Sequence, residues 1–233
     1  MLIDIEGIDG SGKGTQAQRL CDRLNRSGVS STLISFPRYT QTLFGRAVGE
    51  FLDEKFGSLD QVHPFLVSLL FAGDRFESKS VLLDAMQQNS IVVLDRYVPS
   101  NVAHQASKRE GAARRELQER ILELEFQVFG LPRPDLVLLL DLPVAIAREL
   151  IACKSARQYT DRKADIQEAD SGYLERVREV YLELAVRGPE WRTIACCEGN
   201  RLRPIDEISD LIWRSVEEFR RGRMTNDETV SCQ

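Results

Sequence analysis

Three short segments of the chain are apolar at nearly every position: MLIDIE, SIVVLD and DLVLLLD. Such runs are typical of parallel strands that helices cover on both faces. Two weaker segments, STLISF and RTIACC, are candidates for further strands. Between them lie segments with helical periodicity, which cover residues 13–27, 60–88, 112–129, 173–186 and 204–221. This alternation predicts an α/β fold, with a parallel sheet of about five strands and helices on both faces.

The domain organisation follows from the length and from the absence of a linker. The 233 residues contain no internal repeat and no Pro/Gly/Ser-rich linker, so we expect one domain over residues 1–221. Residues 148–170 are dense in both charge signs and lack an apolar stripe, which is typical either of a solvated helix and loop or of a mobile lid. The polar tail, residues 222–233, is predicted to be disordered.

Composition and charge exclude several classes of protein. A net charge of −5 argues against a dedicated nucleic-acid binder. The first residues, MLIDIEG, lack the basic region of a signal peptide, and the longest apolar run, LVLLLDL, is too short to cross a bilayer. The five cysteines are odd in number and lack C-x-x-C spacing, as expected of reduced thiols. We therefore expect a cytoplasmic protein that has neither nucleic acid nor membrane as a partner.

A glycine-rich turn, within DIEGIDGSGKGTQ, separates the first predicted strand from the first predicted helix. The pattern G-x-x-x-x-G-K in this context predicts a loop whose N–H groups cradle nucleotide phosphates, while the lysine reaches the β- and γ-phosphates. The Ser or Thr that usually follows the lysine and holds Mg²⁺ is replaced by glycine, and a threonine comes one residue later. The residues predicted to bind ATP are Gly7, Asp9, Gly10, Ser11, Gly12, Lys13, Gly14 and Thr15.

Two further motifs follow predicted strands, at the end where a parallel sheet binds ligands. Asp95 ends SIVVLD and Arg96 follows it, and they are either a metal-binding carboxylate beside an anion-binding arginine or a local pair that caps the strand. Arg38, within FPRY after the second strand, either binds a second phosphate group or is a surface residue of a turn.

A third motif, LLFAGDRF, lies within a predicted helix. Phe71 and Arg75 are four residues apart and share one helix face, where they could stack a base and donate a hydrogen bond to its carbonyl. The alternative is that Phe71 belongs to the core and that Arg75 pairs with its neighbour Asp74.

Taken in order, these motifs resemble those of thymidylate kinases, the P-loop enzymes that phosphorylate dTMP with ATP. The resemblance rests on EGIDGSGK, FPRY (36–39), FAGDR (71–75), DRYVPS (95–100) and AHQ (103–105), and it extends from about Met1 to Phe219. It implies a P-loop NTPase fold, transfer of the γ-phosphoryl group of ATP to dTMP, Mg²⁺ as cofactor, and a homodimer formed through helices near residues 60–88. A kinase of another monophosphate or of a deoxynucleoside, or a regulatory protein that has lost turnover, stays open as an alternative.

The resemblance also implies roles for individual residues. Lys13 holds the ATP phosphates and Asp95 lies near the magnesium, which we expect Thr15 to reach through water. Many relatives have Tyr at the position of His104, beside the sugar. The residues that the resemblance assigns to the monophosphate substrate are Asp9, Arg38, Phe71, Arg75, Arg96, Ser100, His104 and Gln105.

The source of a catalytic arginine is a separate question, since phosphoryl transfer spreads negative charge that a positioned arginine stabilises. Some thymidylate kinases carry an arginine in the phosphate loop, at the position of Gly10 here, and others supply it from the lid. Lys13 is the only basic residue of this loop. We therefore predict a lid arginine, Arg157 or Arg162, with Arg148 as a support at the base of the lid.

Overall fold

The central element is a parallel sheet of five strands in the order β2-β3-β1-β4-β5. The computed structural model describes residues 1–58, 61–152 and 171–230. The strands are β1 (Leu2–Glu6), β2 (Ser31–Ser35), β3 (Ile91–Asp95), β4 (Leu136–Asp141) and β5 (Trp191–Ala195). All four strand pairs are parallel, which confirms the predicted five-stranded sheet and the location of each strand.

Helices connect the strands. In chain order they are α1 (Lys13–Arg26), α2 (Leu43–Leu52), α3 (Pro64–Glu77), α4 (Lys79–Gln88), α5 (Val98–Ala106), α6 (Gly111–Leu122), α7 (Val144–Ala152), α8 (Ser171–Arg187) and α9 (Ile205–Val230). A π-helical turn, Glu123–Val128, continues α6. A short antiparallel hairpin, β6 (Cys197–Glu198) and β7 (Arg201–Leu202), precedes α9. No helix within the described ranges is long and apolar enough to span a membrane.

The core lies on both faces of the sheet because successive strand residues point to opposite sides. Ile3, Ile5 and Val93 belong to a cluster that includes side chains from α1, α7, α8 and α9. The alternate residues of β3, Val92 and Leu94, belong to the opposite cluster, with side chains from α4, α5 and α6. Burial on both faces explains why the central strands are apolar nearly throughout.

Two predicted helical segments need correction. The segment 60–88 contains two helices, which meet at Ser78, and the first begins only at Pro64, whose fixed φ suits the first helical turn. Helices α2, α5 and α7 were not predicted. The last helix does not end at residue 221 but continues to Val230, through most of the tail that was predicted to be disordered. An ion pair joins Arg223, at the start of that continuation, to Asp135.

The proposed lid is only partly described. Residues 148–152 form the end of α7, so the base of the segment is helical. Arg148 is exposed there. The other two arginines assigned to the lid, Arg157 and Arg162, lie outside the described residues.

Candidate active site

A cleft of about 560 Å³ opens where the central strands end. Ile5 of β1 pairs with Asp95 of β3, so the phosphate loop after β1 and the DRY motif after β3 begin side by side. The structure brings most of the predicted residues into this cleft: Asp9, Gly10, Gly12, Lys13, Gly14, Thr15, Phe71, Arg75, Asp95, Arg96, Ser100, His104 and Gln105.

Two loop residues predicted to bind ATP, Gly7 and Ser11, lie behind the cleft instead of lining it. A Cβ atom on Gly7 would come within 2.7 Å of the carbonyl oxygen of Leu140, so the glycine permits the loop to pack closely on β4. The Ser11 hydroxyl is buried, and the N–H group of Ser11 donates to the carbonyl of Ile8 at 3.2 Å. Both residues therefore shape the loop from below.

Gly10 marks the contact between the phosphate loop and α7. Its φ is +84°, and a Cβ atom there would lie 2.4 Å from the carbonyl oxygen of Ala147 and 3.0 Å from the Ile151 side chain. Both the backbone conformation and the space exclude a side chain. An arginine at this loop position cannot be accommodated while α7 lies here.

Lys13 is the cation at the floor of the loop. Its ammonium donates to the carbonyl of Ile8 at 2.8 Å and is almost fully buried. Burial lowers the pKa of Lys13 to about 7, and the nearby charge of Arg96 acts in the same direction. A nucleotide phosphate beside it would supply the anionic partner that favours the charged form.

Gly14 leaves space beside a carboxylate. A Cβ atom on Gly14 would lie 3.0 Å from Oδ2 of Asp95, so the side chain usually present after the lysine would come against that oxygen. Thr15, one residue on, is exposed and also lines the cleft. One carboxylate, one hydroxyl and free space at the phosphate loop suit Mg²⁺, which keeps several waters and binds through one or two carboxylates and the substrate phosphates.

Arg96 is held in a strained conformation by its neighbours. Its φ of +69° is unfavourable for any residue with a side chain. The guanidinium forms an ion pair with Asp9 and donates to the Ser100 hydroxyl at 3.3 Å. Burial alone would lower the pKa of Arg96, but the Asp9 carboxylate outweighs it and raises the pKa above its ordinary value. The arginine therefore stays charged and fixed in the cleft before any ligand binds.

Glu6 supports this arrangement from the core. Its buried carboxylate accepts hydrogen bonds from the N–H groups of Tyr97 and Ser100, at 2.9 and 3.0 Å, where α5 begins. It also accepts from the hydroxyls of Ser100 and Tyr181, at 2.6 and 2.8 Å. An anion at a helix N-terminus satisfies donors that the helix leaves unpaired. The Ser100 hydroxyl is thus already bonded to the protein, and it lines the cleft beside Arg96.

Arg75 is buried, with 2% of its surface exposed, and it pairs with Glu125 of the π-helical turn. Its Nε donates to Oε2 at 2.6 Å, and Nη2 donates to Oε1. The alternative that Arg75 pairs with its neighbour Asp74 is wrong. Phe71, one turn earlier on α3, is partly buried and lines the same part of the cleft.

Asp74 instead anchors the loop that contains FPRY. Its carboxylate accepts from the N–H group of Arg38 at 2.9 Å and from the Thr42 hydroxyl. Arg38 lines a neighbouring groove of about 520 Å³ and not the cleft itself. Phe36, Pro37 and Tyr39 do line the cleft, so the motif contributes mainly through residues that the prediction did not select.

Helix α5 forms one wall through Ser100, Asn101, His104 and Gln105. Asn101 was not predicted, although it lies three and four residues before His104 and Gln105 and so shares their helix face. Three polar atoms of this wall are buried without a hydrogen-bond partner among the described residues: Oδ1 of Asn101, Nε2 of His104 and Nε2 of Gln105. Unpaired buried polar atoms in a cleft are those that a ligand can satisfy.

His104 is neutral in this wall. Its Nδ1 lies 2.9 Å from the hydroxyl of Tyr173, on α8. Burial lowers the pKa of His104 from its ordinary 6.5 to about 3, and the positive charge of Arg96 adds to the effect.

Acid should therefore destabilise the protein through His104. The unfolded chain protonates near pH 6.5 and the folded chain only near pH 3, so protons favour the unfolded state as the pH falls through this interval. Between about pH 7.5 and pH 5 this linkage lowers the free energy of unfolding by about 2 kcal/mol. Urea denaturation at both pH values checks it: His104→Gln should lose that part of the pH dependence, and His63→Gln, which changes the other histidine, should retain it. Equal pH dependence in wild type and His104→Gln would contradict the expectation.

The fold and this cleft define a kinase of the phosphate-loop class, in which a glycine-rich loop and its lysine face a second binding region across one cleft. A family model described as thymidylate kinase matches residues 5–200. The chain belongs to the thymidylate kinase family, and it is a nucleoside monophosphate kinase, as the motifs of its sequence implied.

Individual relatives support the assignment. The chain is 33% identical over 188 residues to the thymidylate kinase of Mycobacterium tuberculosis, a match that covers 81% of this chain and 87% of the relative. It is 34% identical over 226 residues to a probable thymidylate kinase of Thermococcus onnurineus, covering 93% and 97% of the two chains. The structure of the Candida albicans thymidylate kinase, described as revealing the origin of that enzyme's broad substrate specificity, superposes with a TM-score of 0.70 at 27% identity and covers 93% of this chain and 91% of that one.

Proposed function

We propose that this enzyme transfers the γ-phosphoryl group of ATP to dTMP, giving ADP and dTDP, with the residues of the cleft in the roles that follow. One observation carries the proposal: a single cleft contains the phosphate loop with Lys13 and also a wall with an aromatic ring, Phe71, beside a fixed donor, Arg75. The first region suits a triphosphate and the second suits a base that has a carbonyl group.

At the donor end, the loop N–H groups and Lys13 bind the ATP phosphates. Asp95 and Thr15 would hold Mg²⁺, because Gly14 supplies no hydroxyl. When bound, the ion neutralises charge on the phosphate oxygens.

At the acceptor end, Arg96 grips the phosphate of dTMP and Asp9 faces the sugar 3′-hydroxyl. The ion pair between these two side chains keeps both in the cleft in the absence of ligand. Phe71 stacks on thymine, Arg75 donates to its O4, and His104 and Gln105 complete the pocket. Arg38 is a second phosphate grip only if its side chain turns from the neighbouring groove into the cleft.

Catalysis in this arrangement is positioning together with charge stabilisation, and no covalent enzyme intermediate is needed. The acceptor phosphate oxygen attacks the γ-phosphorus and ADP leaves. Fixed cations in the cleft stabilise the transferring group because they need no reorganisation during the reaction.

A homodimer through α2 and α3 is the remaining part of the proposal. Large apolar side chains are exposed on these helices, including Leu43, Leu66 and Phe76 with 62%, 56% and 50% of their surface accessible. The two helices are already packed tightly, since a Cβ atom on Gly73 would lie 2.5 Å from the ring of Phe44. An exposed apolar surface on a rigid helix pair suits a second copy of the same surface, and sedimentation analysis tests it.

Release of ADP with ATP, Mg²⁺ and a panel of monophosphates tests the function. We expect dTMP to have the highest kcat/KM, and dUMP to be lower by about 10- to 200-fold because a methyl group in an apolar pocket is worth about 1–3 kcal/mol. Faster phosphorylation of AMP or CMP would overturn the assignment of the acceptor. Absence of turnover with every acceptor would favour a nucleotide-binding regulatory protein instead.

A further inference from the structure

Glu125 is a fully buried carboxylate behind the cleft. It contacts two residues that line the cleft, one on α3 and one on α5. It lies in the π-helical turn that follows α6, 50 residues from Arg75 and 24 residues from Asn101. Burying a carboxylate is costly unless charged and polar partners compensate it. Its three hydrogen bonds go to these two residues, so its position is tied to theirs.

The first partner, Arg75, has one amino group, Nη1, that Glu125 does not bind. Glu125 accepts from Nε and Nη2, which occupies one edge of the guanidinium fork. The hydrogen bonds of Arg75 to described residues are made by Nε and Nη2, and Arg75 lines the cleft. Glu125 therefore neutralises the buried charge and fixes the plane of the guanidinium, while Nη1 is left for a ligand acceptor.

The second partner, Asn101, presents an acceptor. Its Nδ2 donates to Oε1 of Glu125 at 2.7 Å and to the carbonyl of Ser68 at 3.0 Å, which uses both of its hydrogens. Its Oδ1 is buried, and no described residue bonds to it. Both neighbours of the amide are acceptors only, so a flipped amide would bring three oxygens together. The carboxylate thereby fixes which end of the amide is available to a ligand.

A donor beside an acceptor matches one kind of pyrimidine edge. Thymine and uracil have an acceptor carbonyl at position 4 and a donor N–H at position 3, which suit Arg75 and Asn101. Cytosine has a donor amino group and a bare acceptor nitrogen at the same positions, so both contacts become repulsive.

We propose that Glu125 is the positioning residue that makes the cleft specific for keto pyrimidines, because it orients both Arg75 and Asn101. The inference rests on the proposed function and adds the determinant that excludes cytosine nucleotides. Sites built to hydrogen-bond a substrate group reject an analogue with the wrong group by about 10⁴–10⁵, far more than an apolar pocket can. A purely structural role for Glu125 would affect all acceptors alike.

The test compares Glu125→Gln with Glu123→Gln, which changes a glutamate two residues earlier in the same turn that is not fully buried. A glutamine cannot accept at both of its terminal atoms, so either Arg75 or Asn101 loses its fixed orientation. For Glu125→Gln we expect KM for dTMP to rise about tenfold or more, with kcat within about threefold of wild type and KM for ATP unchanged. The ratio of kcat/KM for dTMP to that for dCMP should fall by about tenfold or more. Glu123→Gln should match wild type in every value.

A second variant covers the case in which Glu125→Gln does not fold. Asn101→Ser removes the amide but leaves the ion pair of Arg75 and Glu125 intact. The mismatch with cytosine at position 3 then disappears, so the ratio of dTMP to dCMP should again fall by about tenfold or more. Where both variants fold, the double variant should lose less than the sum of the two losses, because Glu125 acts partly through Asn101.

The outcomes distinguish a failure of the proposed function from a failure of the role proposed for Glu125. A wild-type enzyme that prefers dCMP to dTMP overturns the proposed function itself. A wild-type preference for dTMP that either variant retains within about threefold overturns the role of Glu125 and leaves the function standing. Equal losses of kcat with every acceptor also overturn it, since they indicate a structural role alone.

Discussion

Replacing Arg96 with alanine is expected to lower kcat by about 10³-fold, a loss typical of removing a positioned cation from a phosphoryl-transfer site. Arg96 is fixed by its ion pair with Asp9 and by the Ser100 hydroxyl, at the edge where the two central strands end. Steady-state rates at saturating ATP and dTMP measure the effect. Arg115→Ala, which removes an exposed arginine of α6, is the matched control and should leave kcat unchanged.

A glycine variant separates charge from backbone strain. Because Arg96 has a φ of +69°, Arg96→Gly removes the guanidinium and also relieves an unfavourable backbone conformation. We expect it to be at least as stable as Arg96→Ala to thermal unfolding and equally inactive. A folded variant of either kind with nearly normal kcat would show that Arg96 serves the structure and not the reaction.

Replacing Arg157 and Arg162 together is expected to lower kcat by about 10²-fold or more, and one of the two single variants should account for most of the loss. Neither residue belongs to the described part of the chain, so the expectation rests on the cations that line the cleft. Among the described residues these are Lys13, Arg75 and Arg96. Lys13 is assigned to the donor phosphates, Arg75 is bound to Glu125, and Arg96 is assigned to the acceptor.

The phosphate loop itself cannot supply the missing arginine, since Gly10 has no room for a side chain against Ala147. Single and double alanine variants, assayed at saturating ATP and dTMP, decide the point, with Arg115→Ala again as control. If the double variant keeps kcat within about tenfold, the transferring group obtains its stabilising charge from a different residue.

The strands were predictable because burial leaves a strong signal in the sequence. Residues 91–94, IVVL, are all buried, as in a parallel strand that is covered on both faces. Burial on all sides also explains why α5 was not predicted. All nine residues of VPSNVAHQA are buried, and polar side chains on this helix serve the cleft, so its sequence lacks the apolar stripe of a surface helix.

The residues of the candidate site were predictable where they belong to short sequence motifs. Lys13, Phe71 and Arg96 each lie in a short pattern with a recognisable local chemistry. Glu125 does not, because the residues that explain it lie 50 and 24 positions away and meet it only in the folded chain. A glutamate within LELEFQV is, from its sequence alone, a solvated helix residue like its neighbours.

The contact between Gly10 and α7 also limits how this enzyme can be redesigned or can diverge. Transplanting an arginine into the loop from a relative would place a side chain where the Ala147 carbonyl and Ile151 already lie. The exchange would require a matching retreat of α7, and hence changes in two segments about 140 residues apart in the chain. Substitutions in the loop and in the helix that packs on it are therefore expected to depend on each other, and a chimera should exchange both segments together.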